Sequence, residues 1–434
     1  MTHNTLCHVG ALPPELFDKI LFELESIRDL ANFIATSRFV YRRFEAQRRA
    51  VLFRVLQNEL GPVLTDARFL FLFPYSDPAD EVHYYDWVHT MAAVYCDMLR
   101  GDKGYGVRGE AVPSLGELLD LCRTLHKINF LSDAYVAAQL RFFQDAVERT
   151  SGPCADLAPP PATAPLSRTE RLRVVRAFYR RQIVSNAWAS TIRPAHWTSE
   201  DTAAISNTSD HGGVRRGLFA AFEPWEMQQI DHAELFITQV CVALLGHAGL
   251  HAADHGNTAQ PIQKAEFGDL YSHVDRLARY LQTNTSLAST ALHGMSSGKS
   301  PPGNKDLSRE YIYQYQLLPL VYAFQLDRSQ TLPDPDRDKR ERDEEEIGFV
   351  EDHVQLIPFG WVDALNRRYL DRFGDTLDEI PWLRLGSTEK KIARQNTANL
   401  WRYTGFALWD RARVEELKNL DRFSGVRTGW VLGC

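Results

Sequence analysis

Residues 11–44 place three short helical patterns within about forty positions, and no other feature of the chain constrains its fold as strongly. The segment reads ALPPELFDKILFELESIRDLANFIATSRFVYRRF. The first pattern sets five large apolar side chains within an arc of about 140° on a helix. They are Leu16, Phe17, Ile20, Leu21 and Leu24. A face this wide is too large for a solitary helix, so the pattern predicts a helix packed against others.

Flanking residues indicate where the first two helices begin. Pro13 and Pro14 precede Glu15, which is typical of a helix N-terminus, where a missing N–H costs little and an acid suits the helix dipole. The second helix is capped by Ser26 or Asp29. Its apolar face comprises Ile27, Leu30, Phe33 and Ile34.

The third pattern begins near Phe39 and is predicted to continue as one helix through AVLFRVLQNELG, until Gly61 and Pro62 end it. Apolar residues recur in that continuation at helical spacing: Val51, Leu52, Val55 and Leu56. Three short helices without cysteine pairs or metal ligands bury too little surface to fold alone. The segment is therefore predicted to pack against helices of a partner.

This segment resembles an F-box, whose pattern is a Leu-Pro start, a Glu-Leu pair, an Ile-Leu pair and a second helix opening near Asp-Leu. The matching pairs are Leu12-Pro13, Glu15-Leu16, Ile20-Leu21 and Asp29-Leu30. The resemblance implies a three-helix unit that inserts between the C-terminal helices of the Skp adaptor of a cullin-type ubiquitin ligase. By position, it assigns partner binding to Leu12, Pro13, Leu16, Ile20, Leu24 and Leu30.

One position departs from the F-box pattern. Many members carry tryptophan near the end of the motif, where this chain has Val40 followed by Tyr41. The departure predicts a weaker hold on the adaptor. The order of LPPEL, SRTERLRVVRAFYRRQI, FEPWEMQQI and GFALWDRARVEEL also resembles fungal F-box-like proteins, whose remaining helical domain has no assigned ligand. The alternative is that LPPEL opens an ordinary core helix.

The rest of the chain predicts a mainly α fold, in which an irregular all-helical domain follows the F-box-like unit. The predicted layout is a flexible N-terminus at 1–10, the motif at 11–60, a helical segment at 61–150, a proline-rich linker at 151–166 and a receptor domain at 167–434. Mobile loops are predicted near 283–306 and 332–346. After the linker, Ser167 and Glu170 form a capping box that opens an amphipathic helix.

Composition narrows the functional classes. A net charge of −7 over 434 residues gives no general attraction for nucleic acid or anionic lipid. The six cysteines include no C-x-x-C pair, which favours a reducing compartment. Without a signal-like N-terminus or an apolar run near ~18 residues, a cytoplasmic or nuclear protein is expected.

Two other clusters have both a functional and an ordinary explanation. His247, His251 and His255 follow one another at helical spacing and would share a metal, but nearby glycines indicate a fraying helix end, so no metal site is assigned. Six arginines crowd the helix after the linker: Arg168, Arg171, Arg173, Arg176, Arg180 and Arg181. They would either dock an acidic or phosphorylated peptide or pair with acids of neighbouring helices.

The sequence contains no glycine-rich phosphate loop followed by Lys-Ser, no G-x-S-x-G elbow and no kinase signature, so no catalytic residue or cofactor is predicted. The leading hypothesis is a substrate-recognition adaptor of an SCF-type ligase. The alternatives are a Skp-bound scaffold outside any ligase and an enzyme of unfamiliar helical fold.

Overall fold

Helices account for all the regular structure in the described part of the chain, as the 3.6-residue periodicity predicts. The computed structural model describes residues 13–74, 81–102, 113–151, 161–188, 218–254, 264–285, 350–361 and 405–419. Within these ranges there are twelve α-helices and no strands, which confirms the mainly α prediction. The helices are α1 Pro14–Glu23, α2 Ile27–Ile34, α3 Arg38–Ala46, α4 Arg48–Leu60, α5 Leu64–Leu72, α6 Glu81–Asp102, α7 Leu115–Ser151, α8 Arg168–Trp188, α9 Pro224–Asp254, α10 Lys264–Ser272, α11 Val274–Thr283 and α12 Arg411–Asn419.

The chain divides into two compact units. The first comprises Met1–Leu72 and Asp97–His126, and the second comprises Phe73–Cys96 and Lys127–Cys434. The predicted helical segment at 61–150 therefore contributes residues to both units. In the described ranges, no helix is both long enough and apolar enough to span a membrane.

Helix α4 organises the first unit, where it packs against α1, α2, α3 and α5. Its apolar residues at helical spacing are buried: Val51, Leu52, Val55, Leu56 and Leu60. The predicted single third helix is wrong, because the backbone at Gln47 leaves the helical region (φ −128°, ψ 20°) and separates α3 from α4. The predicted end at Gly61 is confirmed, and its φ of +50° suits glycine.

Helix α8 is the centre of the second unit. The predicted capping box is present, since the Glu170 amide donates to Ser167 Oγ at 3.1 Å and the Ser167 amide donates to Glu170 Oε2 at 3.0 Å. The helix is not amphipathic as predicted, because every side chain from Leu172 to Ala187 is buried. Its polar side chains are covered by the acids and carbonyls of other segments.

Four arginines of α8 are internal and neutralised by carboxylates. Arg176 and Arg180 share Glu226 Oε1, at 3.3 and 2.7 Å. Arg181 binds Glu234 at 2.8 Å, and Arg173 binds Asp410 at 2.9 Å. Burial by itself would raise the pKa of Glu226, but Arg180 and Arg176 hold that pKa below its usual value.

The end of the predicted proline-rich linker is packed against α12. Residues Pro161–Thr163 form a 3₁₀ turn, and the guanidinium of Arg413 donates to the carbonyls of Ala162 and Ala164 at 2.7 and 3.0 Å. The same guanidinium binds Glu170 at 2.8 Å. Residues 152–160 of the linker and the two predicted mobile loops, from residue 286 onward in the first, lie outside the described residues.

The shared carboxylate of Glu226 gives a test of this internal charge network. Glu226→Gln keeps the capping bond to the Glu223 amide but removes the charge opposite two buried arginines, so we expect a loss of about 3–5 kcal/mol in the free energy of unfolding. Urea denaturation measures this loss. Glu415→Gln, at the exposed pair with Arg411, is the control and should change stability little. Equal effects at the two sites would contradict a special role for Glu226.

Candidate functional site

The candidate site consists of exposed apolar side chains of α1 and α3. Helix α1 contributes the first two of them. Pro13 has a non-helical backbone (φ −53°, ψ 141°), and its carbonyl accepts from the amides of Leu16 and Phe17 at 3.1 Å each, so α1 begins at Pro14 as the sequence predicts. Phe17 and Leu21 are fully buried. Leu16 is 51 % exposed and Ile20 is 37 % exposed, so α1 presents two large apolar side chains, one turn apart, to solvent.

Phe17 joins α1 to the other two short helices. Its ring stacks on Phe33 of α2 at 5.6 Å between centroids and meets Phe39 of α3 edge-on at 5.4 Å. Both distances fall in the range of favourable aromatic pairs. The three helices therefore share one small aromatic core, although each alone has little apolar surface to bury.

The corner between α1 and α2 is held by the last turn of α4. The Asn58 amide nitrogen donates to the carbonyls of Phe22 and Leu24 at 2.8 and 3.0 Å, and Glu59 accepts from the Ile27 amide at 2.7 Å. These are backbone groups that a helix end leaves without an internal partner. The predicted cap of α2 is also present, because Ser26 Oγ accepts from the Asp29 amide at 3.0 Å.

A bidentate ion pair joins α1 to α3. Arg43 donates through Nε and Nη2 to the two carboxylate oxygens of Asp18, at 2.8 Å each. This fork geometry is the most specific that arginine and a carboxylate form. The hydrogen bond from Arg43 lowers the pKa of Asp18, against a smaller opposing effect of burial.

Helix α3 supplies the second half of the site. Its cap is Ser37, whose hydroxyl accepts from the Val40 amide at 3.2 Å. Val40 and Phe44 point into the core, while Phe39 is 46 % exposed and Tyr41 is 50 % exposed. The position where many F-boxes carry tryptophan is thus fully buried here, and the exposed aromatic surface is provided by the residues on either side of it.

The predicted partner-binding residues divide by exposure. Pro13, Leu16 and Ile20 are exposed, and Leu24 is half-buried. Leu30 is 2 % exposed and lies in the core of the first unit, so it supports the surface and is not presented by it. Leu12 lies outside the described residues.

Sequence reasoning missed Phe39 and Tyr41 as surface residues. The available signal was the phase of α3: Val40 and Phe44 lie one turn apart on the inner side, which turns Phe39 and Tyr41 toward the outer arc. We use the name α1–α3 face for four exposed side chains, Leu16 and Ile20 on one flank of α1 and Phe39 and Tyr41 on α3.

The other two candidate clusters do not form a site in the described part of the chain. His247 and His251 fall within α9, where their side chains are not described, and His255 lies outside the described residues. Among described residues, no group of three or more His, Cys, Asp or Glu side chains is placed to hold a metal. Four of the six arginines of α8 are buried ion-pair partners, which agrees with the pairing explanation rather than with a docking surface.

The chain matches no protein-family model, no curated protein and no solved structure. The interpretation of the α1–α3 face therefore depends on the residues themselves.

Truncation of Phe17 should destabilise the first unit, whereas truncation of its neighbour Leu16 should not. Phe17→Ala removes a fully buried ring, and we expect the free energy of unfolding to fall by about 3–5 kcal/mol. Leu16→Ala trims a side chain that is half in solvent, so a change within about 1 kcal/mol is expected. Urea denaturation of both variants measures the difference. A large loss for Leu16→Ala would place Leu16 in the core instead.

The ion pair between Asp18 and Arg43 predicts a pH dependence. Because the folded-state pKa of Asp18 is lowered, its stabilising effect is present above the unfolded pKa of about 4 and is lost as the pH falls through the folded value. Asp18→Asn should speed amide hydrogen exchange in α1 and α3 at pH 7, and the difference from the unchanged protein should shrink as the pH falls from the unfolded pKa through the lowered folded value. A difference that does not change with pH over this range would show that the pair is not its source.

Proposed function

We propose that this chain is a substrate-recognition adaptor of an SCF-type (Skp–cullin–F-box) ubiquitin ligase. The α1–α3 face, with Pro13 and the preceding Leu12, binds the Skp adaptor. The helical second unit binds a protein target. The chain catalyses nothing itself, uses no cofactor and acts in the cytoplasm or nucleus, while ubiquitin transfer takes place on partner subunits.

The observation that carries this proposal is the split between buried and exposed apolar residues on α1. Phe17 and Leu21 anchor the helix, while Leu16 and Ile20 stand in solvent on an element fixed by a ring cluster, an ion pair and a capped corner. Large apolar side chains held rigidly in water favour a protein partner, because docking removes their surface from water without ordering a flexible segment.

The positions of these residues in the F-box pattern support the Skp adaptor as the partner. Leu16 and Ile20 are members of the Glu-Leu and Ile-Leu pairs of the motif, and both are among its exposed residues. Leu30, which the motif also contains, serves the core that holds them. If α1 inserts into a groove between helices of the partner, Leu16 and Ile20 would be its two anchor residues, one turn apart.

The test is co-expression with a Skp adaptor and a cullin scaffold, followed by capture of the complex. Leu16→Asp and Ile20→Asp place a charge in the proposed apolar contact, and we expect each to weaken adaptor binding by at least about a hundredfold. Leu72→Asp is a matched control in the same unit, because Leu72 is 50 % exposed and lies on α5, outside the α1–α3 face. It should bind as the unchanged protein does.

The outcomes separate the proposal from its alternatives. Capture of adaptor and cullin, lost in the α1 variants alone, supports the ligase function. Capture of adaptor without cullin favours a Skp-bound scaffold. Capture of neither, with all proteins folded by circular dichroism, refutes adaptor binding and favours the alternative of an enzyme of unfamiliar helical fold.

A further inference from the structure

Five charged side chains meet where the start of α12 packs against the first turns of α8. The acids are Glu170, Asp352 and Asp410, and the guanidinium groups belong to Arg173 and Arg413. They come from three separate stretches of the second unit. We call these five side chains the α12 junction.

Within the junction, Glu170 and Arg413 neutralise each other. Arg413 donates through Nε and Nη2 to the two carboxylate oxygens of Glu170, at 2.8 and 2.9 Å. It also donates to the carbonyls of Ala162, Ala164 and Pro165, at 2.7, 3.0 and 3.2 Å. The charge of Arg413 is thus committed to Glu170 and to the main chain.

The three other members of the junction do not balance. Arg173 donates through Nη1 to Asp410 Oδ1 at 2.9 Å, and its Nη2 lies 4.0 Å from Asp352 Oδ1. Asp352 is held there because both of its carboxylate oxygens accept from the Arg411 amide, at 3.2 and 3.1 Å. The Arg173 side chain is fully buried, whereas those of Asp410 and Asp352 are 16 % and 29 % exposed. One buried guanidinium therefore faces two carboxylates, which leaves one negative charge in excess.

The charged groups around the junction do not remove this excess. The Arg411 guanidinium is turned toward Glu415, at 2.7 Å. His353 contacts Arg173 through its carbonyl, and its ring Nδ1 accepts from the Gln355 amide at 3.2 Å. The other exposed charged residues on these stretches are Arg168, Arg171 and Glu351. Within the described residues, the Asp410 side chain has two partners, Arg173 and the Ser167 hydroxyl, which donates to Oδ2.

We propose that the α12 junction is a pH-sensitive contact, in which Asp410 takes up a proton in mild acid and α12 is then held more firmly against α8. The proton comes from solvent and settles on Oδ2, because the Ser167 hydroxyl can turn from donor to acceptor. Oδ1 keeps its hydrogen bond from Arg173. Protonation removes the excess charge without breaking any other bond of the junction.

The direction of the effect follows from the pKa of Asp410. Burial raises this pKa to about 6 against the opposing effects of Ser167 and Arg173, and the charges of Asp352 and Glu170 raise it further. An aspartate in an undocked segment has a pKa of about 3.9. Because docking raises the pKa, the docked state binds the proton more tightly. The added stability is fully present below about pH 4 and is lost as the pH rises through about 6.

The experiment is amide hydrogen exchange of the full chain between about pH 5 and about pH 7.5, with each rate divided by the intrinsic rate of an unstructured peptide at that pH. With a pKa of about 6 docked and about 3.9 undocked, protection of α12 should rise about tenfold from the higher pH to the lower. Protection of α1, in the first unit, should stay nearly constant. In Asp410→Asn the rise in α12 should be absent, because an amide does not titrate.

Three further variants separate Asp410 from its neighbours. His353→Gln removes the imidazole beside the junction, and Glu415→Gln neutralises an exposed acid of α12 itself. Both should keep the tenfold rise. Asp352→Asn removes one of the two charges that face Arg173 and keeps an oxygen for the Arg411 amide. It should move the start of the rise to lower pH.

Each outcome decides the inference. Protection of α12 that does not change with pH overturns it, as does a rise that survives in Asp410→Asn or disappears in His353→Gln or Glu415→Gln. If Asp410→Asn leaves α12 unprotected at every pH, Asp352→Asn decides instead. A rise displaced to lower pH then supports the inference, and an unmoved rise overturns it. These measurements require no adaptor, so the inference and the proposed function can fail independently.

Discussion

The hydrogen bonds from Asn58 and Glu59 to the corner between α1 and α2 are the constraint on which the first unit depends. Two short helices that turn sharply leave carbonyls and amides without partners, and the last turn of α4 supplies three of those bonds. They hold the end of α1 in place. The burial of Phe17 and Leu21 then sets which side of α1 faces the core and leaves Leu16 and Ile20 exposed.

Buried and exposed arginines have different roles in this chain. On α8, burial requires each guanidinium to have a nearby carboxylate, because an unpaired charge in the interior costs several kcal/mol. Those arginines hold segments of the unit together, as Arg173 does with Asp410. On α3, Arg38 and Arg42 stay hydrated and their charge costs the fold little. An exposed charge of this kind can contribute to the choice of a binding partner, whereas a buried charge cannot contact one.

Features set by neighbours in sequence could be predicted. The start of α1 at Pro14, the Ser26 cap and the Ser167–Glu170 box follow from rules that act over one helical turn. The break at Gln47 has no glycine or proline to signal it. The burial of α8 was equally hidden, because Glu234 lies 53 residues beyond Arg181 and Asp410 lies 237 beyond Arg173. The exposure of Phe39 and Tyr41 could be predicted only if it was known which side of α3 packs against α4.

The contact of Arg413 with Glu170 and the Ala162 carbonyl has a consequence for synthesis on the ribosome. Helix α8 obtains its last ionic partners from residues translated 237 to 243 positions after it, so the second unit completes its core only when nearly the whole chain has emerged. The residues of the first unit, Met1–Leu72 and Asp97–His126, are all translated before Asp410 and Arg413. A nascent chain would therefore present a finished α1–α3 face, available to a partner, while the rest of the protein is still being made.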